Sequence, residues 1–101
     1  MGILSFLKKK EKFKKIVFEG GPGDTFKNAV IIRGASDNMN GVLAEYECLS
    51  VVYGKRDQDW EVKKQTLWKK WFHTYDQIDI VLSDGTQRTI FFDITDFFGK
   101  W

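Results

Sequence analysis

Apolar and polar positions alternate most clearly in the second half of the chain. Trp60, Val62, Thr66 and Trp68 fall on one side of a period-two pattern. Glu61, Lys63 and Gln65 fall on the other, with Lys64 as the exception. This alternation predicts a half-exposed antiparallel strand over 60–68, with Lys69 and Lys70 at the turn that follows. Residues 78–82 and 88–94 flank Ser83-Asp84-Gly85-Thr86, and Asp-Gly between alternating runs predicts a hairpin. A two-residue turn would set Asp76 opposite Asp93, an unfavourable pair of like charges. A three-residue loop with Gly85 at a bulge sets Ile78 opposite Ile90 and Asp76 opposite Phe92. It also gathers Ile78, Ile80, Leu82, Ile90 and Phe92 on one face, so the three-residue loop is the expected register.

Upstream, residues 28–33 (NAVIIR) form a short β-branched run ended by Gly34 and predict a buried strand. The polar stretch 36–40 offers helix-capping side chains. Residues 42–53 lack Pro and internal Gly and are followed by Gly54, which predicts a helix. Its apolar residues form two stripes, Val42, Tyr46, Leu49 and Tyr53 on one side and Ala44, Cys48 and Val51 on nearly the opposite side. A helix apolar on two sides is usually covered on both. The N-terminal residues or a second copy of the chain could supply the other cover. Ile16, Val17 and Phe18 can start a strand, residues 20–24 (GGPGD) read as a turn or joint, and a final turn is expected near 95–98. The expected fold is α+β, in the order β-α-β-β-β. It comprises an antiparallel three-stranded meander plus an N-terminal strand packed on one helix, preceded by a basic amphipathic segment.

Charge divides the chain more sharply than hydropathy does. Residues 1–15 (MGILSFLKKKEKFKK) carry six lysines and one glutamate, whereas the rest of the chain carries ten basic and thirteen acidic groups. The formal net charge of +2 is therefore a basic segment added to a slightly acidic body. We divide the chain into a basic N-terminal segment, 1–19, and one domain, 20–101. Nine Phe, four Trp and three Tyr supply enough large rings for a core at this length. The single cysteine, Cys48, cannot form an internal disulfide and suits a reducing compartment. No run approaches the length of a membrane span. The start places its charges after its apolar residues, unlike a secretory signal, and Ser5 and Phe6 break the myristoylation pattern after Gly2. The expected location is cytoplasmic, with the N-terminal segment able to keep the chain peripheral to a membrane.

Candidate chemistry is sparse. One His, His73, and one Cys, without paired spacing, do not make a zinc set, and no metal or other cofactor is expected. The run GGPGDT lacks the Gly-Lys-Ser/Thr ending of a phosphate loop. In DNMNG, residues 37–41, Met39 and Gly41 stand where calcium ligands are needed. Asp76, Asp79, Asp93 and Asp96 cluster around the last hairpin. With His73 they form the one arrangement that could serve acid–base catalysis, provided they converge in a cleft.

Two stretches have the character of binding surfaces. In the first, Ile3, Leu4, Phe6 and Leu7 can enter a lipid headgroup layer while Lys8, Lys9, Lys10 and Lys12 meet anionic lipid. In the second, Lys63, Lys64, Lys69, Lys70, Trp71 and His73 interleave basic and aromatic side chains, as single-stranded nucleic acid requires. The acidic body ranks nucleic acid below a protein partner. The expected function is therefore a small non-enzymatic interaction module that binds a protein partner and is held at an anionic membrane surface by its N-terminal segment. Nucleic-acid binding through 63–73 is the alternative, followed by an enzyme built on the carboxylate cluster. The two-sided helix and the strand edges also fit a homodimer.

Overall fold

In a computed structural model, residues 16–100 are described. The expected helix over 3–15 and the surface formed by Ile3, Leu4, Phe6, Leu7, Lys8, Lys9, Lys10 and Lys12 lie outside the described residues. One helix and five strands follow in the order β1 (Val17–Gly20), β2 (Val30–Arg33), α1 (Asn38–Tyr53), β3 (Trp60–Lys70), β4 (His73–Leu82) and β5 (Gln87–Asp93). The strands form one mixed sheet in the order β1-β2-β5-β4-β3. The antiparallel meander β3-β4-β5 is present. Two features go beyond the expected four-strand layout. β1 adds an antiparallel edge strand beside β2, and β2 joins the meander by parallel pairing with β5, Val30 level with Phe92. The β2-to-β5 connection carries α1, β3 and β4, so a parallel pairing between distant segments leaves no local signature.

The last hairpin has the expected register. Ile78 pairs with Ile90 and Asp76 with Phe92. Leu82 N–H donates to the Thr86 carbonyl (2.8 Å), which leaves Ser83, Asp84 and Gly85 as a three-residue loop with Gly85 at φ 89°. That φ belongs to the left-handed region that glycine enters at little cost.

The facing of β3 differs from the expected one. The register against β4 slips between Val62 and Lys64. This bulge at Lys63 reverses the alternation downstream, as one extra residue must. Trp60 and Val62 share the helix-facing side with Gln65 and Leu67, which pair with Ile78 and Asp76. Thr66 and Trp68 go to the opposite face, so Lys64 is not an exception on its own strand.

Helix α1 begins at Asn38, earlier than residue 42, because the Asp37 side chain accepts from Asn40 N–H (2.9 Å) and caps it. Its sheet-facing side takes Leu49 from one predicted stripe and Ala44 from the other, while Val51 is exposed. That side runs between the stripes through Gly41, Ala44, Glu45 and Leu49, all buried. Gly41 lets the helix approach the ring of the fully buried Phe97, which sits in the turn after β5. Glu45 is fully buried, and no N–H or O–H donor among the described residues reaches its carboxyl oxygens. Burial, with a hydrogen bond to and the charge of Asp76, pushes the Glu45 carboxyl up to about 10. Glu45 is therefore a neutral acid buried beside Asp76. Asp76 also accepts from Gln65 Nε2 (3.1 Å), and Gln65 Oε1 accepts from Tyr46 Oη (3.1 Å). Tyr46 stacks on Trp60 at 6.4 Å with the Arg56 guanidinium over its ring. The Trp60 indole donates to the Gly54 carbonyl (2.7 Å), tying the helix end to β3.

Candidate interaction surface

Strand pairing places Lys64, Thr66, Trp68 and Lys70 of β3 on the face opposite the helix, with His73, Tyr75, Gln77 and Asp79 of β4 and Thr89, Phe91 and Asp93 of β5. A face of antiparallel strands with no helix over it usually carries polar residues. Here an aromatic cluster occupies its centre. The segment between β1 and β2 folds back onto the face and seats Phe26 against Phe91 (4.4 Å between ring centroids), Tyr75 (5.1 Å), Trp68 (5.6 Å) and Trp71 (6.2 Å). Lys70 Nζ lies 4.4 Å from the Phe26 ring and 4.3 Å from the Trp71 ring, within cation–π range. The Trp68 indole donates to Gln77 Oε1 (2.8 Å). The GGPGD segment thus does more than join two parts, since it delivers the ring that caps this face.

The β3–β4 turn is the most unusual surface feature. Lys70 pairs with His73, so the loop is only Trp71 and Phe72, and both hold positive φ (51° and 64°). Two-residue hairpin loops with both residues at positive φ favour Asn-Gly, because a Cβ is strained there. Bulky rings in this conformation cost on the order of 1 kcal/mol each. The cost does not come back as burial, since Trp71 is 63% exposed and Phe72 is fully exposed. Comparison with protein-family models, curated proteins and solved structures finds no match. The reading of this surface therefore rests on its geometry.

The residues of the basic-aromatic stretch separate. Lys64 and Lys70 lie on the aromatic face, and Trp71 lies at the tip. Lys69 reaches the Phe98 ring on the helix side (4.9 Å), and Lys63 lies at the bulge, 3.9 Å from Glu61. His73 Nδ1 meets the buried Asp93 at 2.8 Å, and Thr95 Oγ1 donates to the same carboxylate. This pair borders a hollow of about 430 Å³ with Phe26, Lys27, Trp71 and Tyr75. Burial and the Asp93 charge push the Tyr75 hydroxyl up. The other carboxylates do not join Asp93. Asp76 lies under the helix with Glu45, Asp79 accepts from Thr89 Oγ1 (2.6 Å), and Asp96 accepts from Gly34 N–H (2.8 Å).

A second apolar surface lies on the outer side of α1. Met39 (73% exposed) and Leu43 (60% exposed) border a hollow of about 500 Å³ with Asp37, Asn38, Val42 and Lys100. Leu43 also borders a neighbouring hollow with Ile16 and Phe18, so Ile16, the first described residue, lies beside this surface. Sequence reasoning missed Met39 and Leu43, because neither belongs to a stripe. It also missed Phe26, a lone ring in a Gly-rich run with no periodicity to mark it. No helix among the described residues is long and apolar enough to cross a membrane.

Proposed function

We propose that this chain is a small non-enzymatic interaction module. The outer side of α1 takes a protein partner, and the basic residues of 1–15 hold the chain at an anionic membrane surface. The observation that supports the partner reading is the exposed Met39–Leu43 surface beside a hollow of a size that receives apolar side chains. A photo-crosslinking residue at position 43 of the full-length chain, in its native cell, tests this reading. The expected result is an adduct with one defined partner, reduced at least tenfold by Met39→Lys. An adduct confined to residues 1–15 of the same chain would show that the surface is covered internally, and would overturn the reading.

A second reading, single-stranded nucleic acid, is favoured by Lys64, Trp68 and Lys70 sharing one face. It ranks lower because Phe26 already stacks on the rings a base would use, and Asp79 and Asp93 would face its phosphates. Under this reading a thymidine oligonucleotide binds in a salt-sensitive way that Lys70→Ala with Trp71→Ala abolishes. An unchanged fluorescence titration at low salt removes it.

A further inference from the structure

We infer that the Trp71–Phe72 tip is itself a membrane contact, inserting its two rings into the interface of an anionic bilayer beside Lys69 and Lys70. This surface is distinct from the N-terminal segment and from the Met39–Leu43 surface, and the inference stands on described residues.

Three observations meet at one end of the sheet. The first is the tip, whose two large rings are held in solvent by a strained loop. A tip that only had to reverse the chain would carry small residues with freedom at positive φ. Trp is the residue type most at home at a bilayer interface, where an apolar ring body and a polar N–H are both satisfied.

The second observation is charge. Lys69 and Lys70 immediately precede the tip, and their Nζ atoms lie over the rings of Phe98 and of Phe26 and Trp71. Lys100 follows Phe98 closely in the chain, and Phe98 is itself partly exposed. The acidic groups at this end are already engaged: Asp93 with His73 and Thr95, Asp96 with Gly34 N–H, and Glu19 with Arg33 at 2.6 Å. The positive charge next to the rings is that of Lys69 and Lys70, and it complements anionic lipid. Each lysine near such a surface strengthens binding roughly fivefold.

The third observation is position. Val17 pairs with Arg33, Ile31 is level with Asp93, Asp93 pairs with Tyr75, and Lys70 pairs with His73. Ile16 therefore lies at the same end of the sheet as the tip. β1 and β4 are three strand spacings apart, about 15 Å. Ile16, the first described residue, and the tip thus lie at one end of the sheet.

The test uses the full chain, phosphatidylcholine vesicles with and without phosphatidylserine, and two variants. Trp71→Asn with Phe72→Gly removes the rings and installs the loop residues that positive φ prefers, so the fold is retained. Lys8, Lys9, Lys10 and Lys12→Gln weakens the N-terminal contact alone. The expected result is flotation of the native chain with anionic vesicles and quenching of its Trp fluorescence by brominated lipid. The tip variant loses at least tenfold in vesicle affinity and most of the quenching, with no fall in thermal midpoint. The lysine variant keeps quenching at raised vesicle concentration. A tip variant that binds as the native chain does would overturn the inference while leaving the N-terminal contact intact. No binding by the native chain would overturn both. Tip-dependent binding to an oligonucleotide or to a protein, without vesicle binding, would overturn the inference in favour of that class of partner.

Discussion

Glu45→Gln is expected to raise stability at pH 7 by about 3 kcal/mol and to flatten the loss of stability with rising pH. The Glu45 carboxyl is fully buried, and burial with Asp76 beside it raises its pKa from 4.5 to about 10. The unfolded chain releases this proton above the lower value, whereas the folded chain keeps it up to the higher one. The contribution is thus fully present below about pH 4.5 and is lost progressively up to about pH 10, at roughly 1.4 kcal/mol per pH unit. At pH 7 the folded state holds a proton the unfolded state has given up, and about 3 kcal/mol of stability has gone. A glutamine amide does not titrate, and its N–H can donate to the neighbouring Asp76. Denaturant unfolding at pH 5, 7 and 9 reads the difference. Native and variant curves that fall in parallel with pH would show that Glu45 does not carry the effect.

Gly41→Ala is expected to destabilise the fold by about 2 kcal/mol, although alanine favours a helix interior by about 1 kcal/mol over glycine. A Cβ on Gly41 would overlap Cδ1, Cε1 and Cζ of Phe97, which is fully buried. A ring in a close-packed site cannot move aside as the end of a flexible chain can, and overpacking costs roughly 1–3 kcal/mol or more. Phe97→Leu makes room, so Gly41→Ala in that background should cost at least about 1 kcal/mol less. Thermal or urea unfolding of the four proteins closes the cycle. A more stable Gly41→Ala single variant would mean that propensity, and not the ring contact, sets the sign.

Both effects arise on the buried side of α1, and neither site stands out in the sequence. Glu45 is a charged residue between the two apolar stripes and belongs to neither, so the pattern does not mark it as core. It is buried beside Asp76, which comes from a strand that follows much later. Gly41 reads as part of a loop before the helix, and its role depends on a ring from beyond the last strand. The β3 bulge escaped for a related reason. An added residue changes which side chains oppose each other, while local composition stays strand-like.

Residue pattern alone settled the features that depend on nearest neighbours. These are the antiparallel meander, the three-residue loop at Gly85, the strand within NAVIIR and helix α1, each specified by periodicity, turn chemistry or the avoidance of like charges across a pair. Trp71 was legible as part of a basic-aromatic stretch, but the full exposure of Phe72, which the pattern allowed as a core ring, and the strained tip were not. Tertiary structure alone decided the parallel pairing of β2 with β5, the side on which α1 is buried, the capping of the open face by Phe26, and the shared end of the sheet at which Ile16 and the tip lie. Those features join segments far apart in the chain. Their free energy lies in contacts that exist only after the chain has closed on itself, so no local run of residues could record them.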